Sequence, residues 1–138
     1  MKLFSMLLVG LTLLWSGCST ASTMKNPRAD FSKVKRVYVE HRLADDHRLD
    51  RIMVAELQRL GREASSGPMT MMPDGVDAVI TYSDEWAWDF KSYLTFVSIQ
   101  VRDYRRDVTI GQGMSRHASP FKKTPEQMIR QIIEPLFK

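Results

Sequence analysis

A single cysteine, Cys18, is present among the 138 residues, so the chain has no internal disulfide and no cysteine-rich metal site. Seven glycines and six prolines leave no room for a collagen-like or low-complexity tract. Charge of one sign is lacking too: 20 Lys and Arg against 16 Asp and Glu give a net +4, too small an excess to imply a nucleic-acid partner. Long apolar runs are absent except for one, Leu3–Trp15, at the N-terminus. At about 13 residues it is too short to span a bilayer as a helix, which takes about 20. What remains, 43% hydrophobic and 26% charged, suits one small soluble domain rather than a disordered chain.

The apolar run has the layout of an export signal. Met1-Lys2 supplies the charged start and Ser16-Gly17 the small residues at a cleavage site. Cys18 follows at once, and the segment resembles a bacterial lipoprotein signal, in which cleavage falls between Gly17 and Cys18. Trp15 stands where that pattern favours Leu, which occurs one position earlier as Leu14. The resemblance implies a diacylglyceryl group on the Cys18 thiol, a third acyl chain on its amino group, and, from Ser19, sorting to the periplasmic face of the outer membrane. More than one chain makes such attachment stable. The competing reading is an ordinary signal peptide cut elsewhere. Residues 1–17 are thus expected to be signal peptide, 18–30 lipidated cysteine and flexible tether, and 31–138 a single periplasmic domain.

Within that domain Val37 and Val39 alternate with Arg36, Tyr38 and Glu40, as on a strand with one buried face. Leu49, Ile52, Met53, Leu57 and Leu60 form a helical stripe, with Asp45-Asp46 as its cap, Gly61 as its stop, and Arg48, Arg51, Glu56 and Arg59 on the wet side. Met69–Met72 reads as a short strand between turn clusters, and Asp77–Trp88, Tyr93–Val101 and Val108–Met114 as longer ones. Leu94, Phe96, Ser98 and Gln100 should face away from Val97, Ile99 and Val101. Thr124-Pro125-Glu126-Gln127 spells a capping box with proline at the first helical position. Ile129, Ile132, Ile133 and Leu136 continue that helix, which Pro135 should kink or end near Glu134. Two amphipathic helices need an apolar partner. The expected fold is an α+β two-layer sandwich: a mixed, mostly antiparallel sheet of about five strands with two helices on one face.

Candidate chemistry is sparse. Trp86 and Trp88 share a strand face and could offer a platform for sugar rings or for a protein; the alternative is that they are packed. Asp84 and Asp89, considered as paired acids, fall on opposite faces of a regular strand. His41 and His47 straddle a turn and could meet Asp45 or Asp46 at a metal, though solvated loop residues are the plainer reading. Gly111-Gln112-Gly113 lacks the third glycine and the following helix of a phosphate loop. Arg102, Arg105, Arg106, Arg116, Lys122 and Lys123 could form a basic end for lipid head groups or an acidic partner. No nucleophile motif is visible.

Val34–Glu40, Leu49–Gly61, Asp77–Tyr82 and Trp86-Ala87-Trp88-Asp89 with Tyr93-Leu94 resemble a group of small bacterial lipoproteins. Their α/β sandwich is similar to periplasmic domains of secretion and envelope-assembly lipoproteins. That resemblance implies a binding or assembly role and supplies no catalytic residue. The lack of spaced metal ligands, a nucleophile motif or a cofactor loop leads to the expectation of no enzymatic site, no cofactor and no metal. The expected partners are the membrane, through Cys18, and an envelope protein. The expected interaction surface is Tyr38, Trp86, Trp88, Asp89 and Tyr93. Peptidoglycan or another glycan, bound or processed through Trp86, Trp88 and Asp84 or Asp89, is the alternative.

Overall fold

The computed structural model describes residues 19–118 and 123–138. Cys18, Gly17 and Lys122 lie outside the described residues.

Six strands form one sheet: β1 (Ser19–Lys25), β2 (Arg36–Glu40), β3 (Glu63–Gly67), β4 (Ala78–Trp88), β5 (Ser92–Asp103) and β6 (Val108–His117), in the order β1-β6-β5-β4-β2-β3. β2 runs parallel to both β3 and β4; the remaining pairs are antiparallel. Two helices, α1 (Leu49–Arg59) and α2 (Pro125–Phe137), pack on the sheet and on each other. The α+β sandwich is therefore present, with six strands rather than about five.

The additional strand is β1. Ser19–Lys25, expected to be tether, pairs along its whole length with β6, from Ser19 opposite His117 to Lys25 opposite Gly111. β3 also lies earlier than expected: Glu63–Gly67 makes the strand, while Met69–Met71 is a 3₁₀ turn.

The core lies between helices and sheet, where Leu49, Met53 and Leu57 of α1 and Ile129, Ile132, Ile133 and Leu136 of α2 cover Val37, Val39, Ile80, Val97, Ile99 and Val101. Helix–sheet approach explains Gly111 and Gly113. A Cβ on Gly113 would sit 2.6 Å from Ile132 Cγ2, and one on Gly111 2.8 Å from Phe31 Cζ. These glycines let α2 settle on β6, which is packing rather than phosphate chemistry.

Local signals at the helix ends hold in most cases. Thr124 and Gln127 close the capping box, with the Gln127 amide donating to Thr124 Oγ1 at 3.3 Å and Thr124 N–H donating to Gln127 Oε1 at 3.0 Å. Gly61 takes the left-handed conformation at φ 81° that ends α1. Pro135 does not end α2. Leu136 and Phe137 are buried, Phe137 edge-on to Phe31 at 5.2 Å between ring centres, and that burial holds the last turn. Glu56, expected on the wet side, is buried instead. Its carboxylate accepts from Arg130 at 2.7 and 2.9 Å and from Arg59 at 3.0 Å, joining the two helices. Burial alone would raise its pKa; the two guanidinium groups reverse that and hold it below the ordinary range.

Alternation in β5 also breaks once. Glu85 pairs with Phe96 and Trp86 with Leu94, leaving Thr95 as an extra residue whose hydroxyl donates to Glu85 O at 3.0 Å. This bulge turns Leu94 onto the core face, against the expectation that it points away.

Candidate functional site

The parallel strand β2 and helix α1 are joined by the loop 41–48, which with the first turn of α1 carries two of the buried acids, Asp45 and Asp50. Asp45 is buried and anchors the loop. One carboxylate oxygen accepts from the His47 amide at 3.1 Å; the other accepts from the Leu49 amide at 2.8 Å and the Tyr82 hydroxyl at 2.7 Å. Asp45 thus caps α1 and ties it to β4, while Asp46 stays exposed. Burial, followed by the bond to Asp45, pushes the Tyr82 phenol well above its ordinary pKa.

Asp50, in the first turn of α1, is fully buried and still charged. Burial opposes its ionisation most strongly. Hydrogen bonds from Arg48 and Ser66, with the charges of Arg48 and His41, outweigh that and hold the carboxyl far below the usual range. The Arg48 guanidinium forks onto both oxygens at 2.9 and 2.8 Å, and Ser66 Oγ donates at 2.7 Å. Arg48 takes a left-handed backbone at φ 56° immediately before the helix, a strained position for a non-glycine residue.

His41, Asp45 and Asp50 offer ligand atoms within 4.8 Å of one another, with His41 Nδ1 3.3 Å from Asp50 Oδ1. A metal would need oxygens that are already committed to Arg48, Ser66, Tyr82 and the head of α1. The cation this pocket holds is the Arg48 guanidinium. His47 does not join the cluster; its ring stacks on Trp86 at 3.6 Å between centres.

That stack settles the place of the tryptophans. Trp86 is half-buried, covered by His47, and its indole N–H donates to Asp84 Oδ2 at 2.7 Å; Arg42 pairs with the other Asp84 oxygen. Trp88 leaves 75% of its surface exposed near the tip of the β4–β5 hairpin, beside exposed Asp89 and Phe90. The two indoles therefore do not form one open platform. Nor do Asp84 and Asp89 meet: the first is enclosed by Arg42 and Trp86, the second lies in the exposed turn. Tyr93 is half-buried on β5. Tyr38 leaves the expected surface altogether. The segment after β3 folds over it with Val76, Val79 and Met72, and its hydroxyl donates to Pro68 O at 2.8 Å.

Trp86 and Trp88 should separate cleanly in stability. Trp86→Ala is expected to cost about 2 kcal/mol, below the roughly 3–5 of a fully buried aromatic, whereas Trp88→Ala should stay within about 0.5. Urea unfolding of both variants checks this; equal losses would mean that the His47 stack contributes nothing.

The basic residues also divide. Arg102 pairs with Asp107, and Arg106 with Asp103 at 3.1 Å, in the β5–β6 turn. Arg116 lies towards the other end of the sheet, its guanidinium carbon 4.6 Å from the centre of the Phe96 ring. A single basic patch does not form among the described residues.

Sequence reasoning raised His41 meeting Asp45 but missed that Asp50, Arg48 and Ser66 join them. The aspartate cap and the turn between His41 and His47 were visible as local signals, and neither revealed that the β3 edge would bring Ser66 onto the helix.

No family model and no curated protein matches the chain. Among solved structures, a PelC dodecamer from Paraburkholderia phytofirmans aligns with a TM-score of 0.66 at 13% identity, covering 86% of this chain and 97% of that one. A dodecameric methionine-substituted variant of the same protein aligns with a TM-score of 0.66 at 14% identity, over 86% and 99% of the two chains. At such identities the likeness is one of fold, and the shared feature is the α+β sandwich over nearly the full length of the PelC chain.

Proposed function

We propose that the chain is a lipid-anchored periplasmic module of the cell envelope that works by contact with neighbouring proteins and performs no catalysis of its own. The observation that carries this reading is the state of its acidic groups. Asp45, Asp50 and Asp84 are each committed to a helix cap, a guanidinium fork or an indole, so none is poised to move a proton. The fold's likeness to PelC, which forms a dodecamer, supports a domain that acts through association. The anchor reading rests on Ser16-Gly17-Cys18 and the outer-membrane address on Ser19. A tethered domain explores little volume, so modest surfaces suffice for its partners.

Cys18→Ser is expected to block lipid labelling and signal removal and to release the domain from the outer-membrane fraction. A variant that matures and fractionates like the parent refutes the anchor. Photocrosslinkers at Gln112, on the uncovered face of the sheet, and at Leu43, exposed on the β2–α1 loop, should capture a discrete envelope protein. A smear of abundant proteins from both positions, together with turnover of isolated peptidoglycan by the purified protein, would favour the glycan-processing alternative.

A further inference from the structure

The register of the sheet places two unrelated features at one end of the molecule. β1 starts at Ser19, opposite His117; Arg116 stands opposite Phe96, and Phe96 opposite Glu85. The first described residue therefore lies about level with Glu85 of β4, across three strand spacings, or about 14 Å. Among the described residues the β5–β6 ladder begins at Phe96, so no β6 residue pairs with the hairpin beyond the level of Glu85. Trp88 lies three residues further on, about 10 Å past that level at strand rise, and the Asp89-Phe90-Lys91 turn lies beyond it.

This projecting tip is apolar where a surface turn is ordinarily polar. Phe90 is 96% exposed and takes a left-handed backbone at φ 57°, and the Asp89 amide donates to Lys91 O at 3.0 Å to close the turn. Neither ring serves the core. The segment preceding Ser19 carries the apolar run and Cys18, with no spacer between that cysteine and β1.

We propose that the β4–β5 tip inserts Trp88 and Phe90 into the lipid leaflet that holds the chain, as a second contact beside the Cys18 anchor; this inference rests on the anchor reading. A leaflet surface at the start of β1 meets the hairpin at about Glu85. The 10 Å overhang matches the depth, about 5–10 Å, to which interfacial apolar groups bury. Trp88 suits the boundary, where an indole keeps its N–H in the head groups, and Phe90 the acyl region. Lys91 has the length to reach back to lipid phosphate. Arg105 and Arg106 occupy the opposite end of the sheet, so the charged turn faces away from the leaflet. Two contacts about 14 Å apart across the sheet fix the tilt of the domain, which a single point of attachment cannot do.

The test uses the full-length, processed protein. Its Cys18 sulfur carries lipid, so Phe90→Cys supplies the sole free thiol for a polarity-sensitive dye. Trp88→Cys repeats the measurement, and Tyr104→Cys, in the exposed β5–β6 turn, is the control. Each labelled protein is placed in phosphatidylethanolamine–phosphatidylglycerol vesicles with plain or brominated acyl chains. The expected result is blue-shifted emission with loss of most intensity to brominated chains at positions 88 and 90, and neither effect at 104. Acylated, vesicle-bound protein whose dyes at 88 and 90 remain water-like overturns the insertion and leaves the anchor standing. Protein without acyl mass on Cys18 that stays off the vesicles overturns both.

Discussion

Asp50→Ala is expected to lower the stability of the domain by about 3 kcal/mol at neutral pH, the bottom of the range for breaking a buried ion pair. The carboxylate is fully buried and holds Arg48, Ser66 and the approach of His41 together, joining α1 to the edge strand β3. The bottom of the range applies because Arg48 is 40% exposed and can turn its charge to water once released. The pH dependence has a definite sign. Asp50 has a folded-state pKa below that of the unfolded chain, so its contribution is complete above about pH 4 and fades as pH falls towards the folded value. The gap between parent and variant should therefore narrow in acid. Denaturant unfolding of both proteins at neutral pH and near pH 3 measures it; a gap that is unchanged in acid, or already negligible at neutral pH, contradicts the buried-pair account. Tyr82 acts at the other limb. Its raised pKa means that the stability it contributes is complete below about pH 10 and is lost as pH rises towards the folded value.

Tyr38→Ala should be at least as damaging, at about 3–5 kcal/mol, the range for removing a large buried aromatic. The ring fills the small second core beneath the β3–β4 connection, and its hydroxyl satisfies Pro68 O. Tyr38→Phe isolates that bond and should cost about 1 kcal/mol. Burial, with the nearby Glu40 charge, raises the phenol pKa, consistent with a ring closed off from water. Thermal unfolding of both variants decides between this packing role and the surface role that strand alternation suggested. If Tyr38→Ala unfolds like the parent while losing an envelope contact, the surface role is the correct one.

Alternation told correctly that Tyr38 opposes Val37 and Val39. It could not tell that a second layer would cover that side, because the covering segment, Pro68–Val76, has no period of its own. The two helices were legible because burial on one face and chemically specific ends agree, as at Thr124 and Gly61. The edge strands were not. In β1 only Thr23 is even half-buried among its described side chains, and Glu-Ala-Ser-Ser-Gly of β3 is little better. Such strands are held by ladder hydrogen bonds, which every residue but proline can make, so composition carries no trace of them. The bulge at Thr95 is invisible for a related reason: an inserted residue shifts the register without changing the residue types. At the candidate site, the aspartate cap was readable, whereas the partners of Asp50 come from two segments, the β2–α1 loop and β3, that only the fold brings together.

The pairing of β1 with β6 also sets an order of events. A chain synthesised N-terminus first brings out β1 long before its partner, which follows only about ninety residues later, so this ladder closes among the last non-local contacts. Until then Ser19–Lys25 must wait with both edges open. Its Ser-Thr-Ala-Ser-Thr run suits that interval, since it lacks the hydrophobic, β-prone stretch that nucleates aggregation. The polarity that hid the strand from view is what lets it remain unpaired safely until β6 arrives.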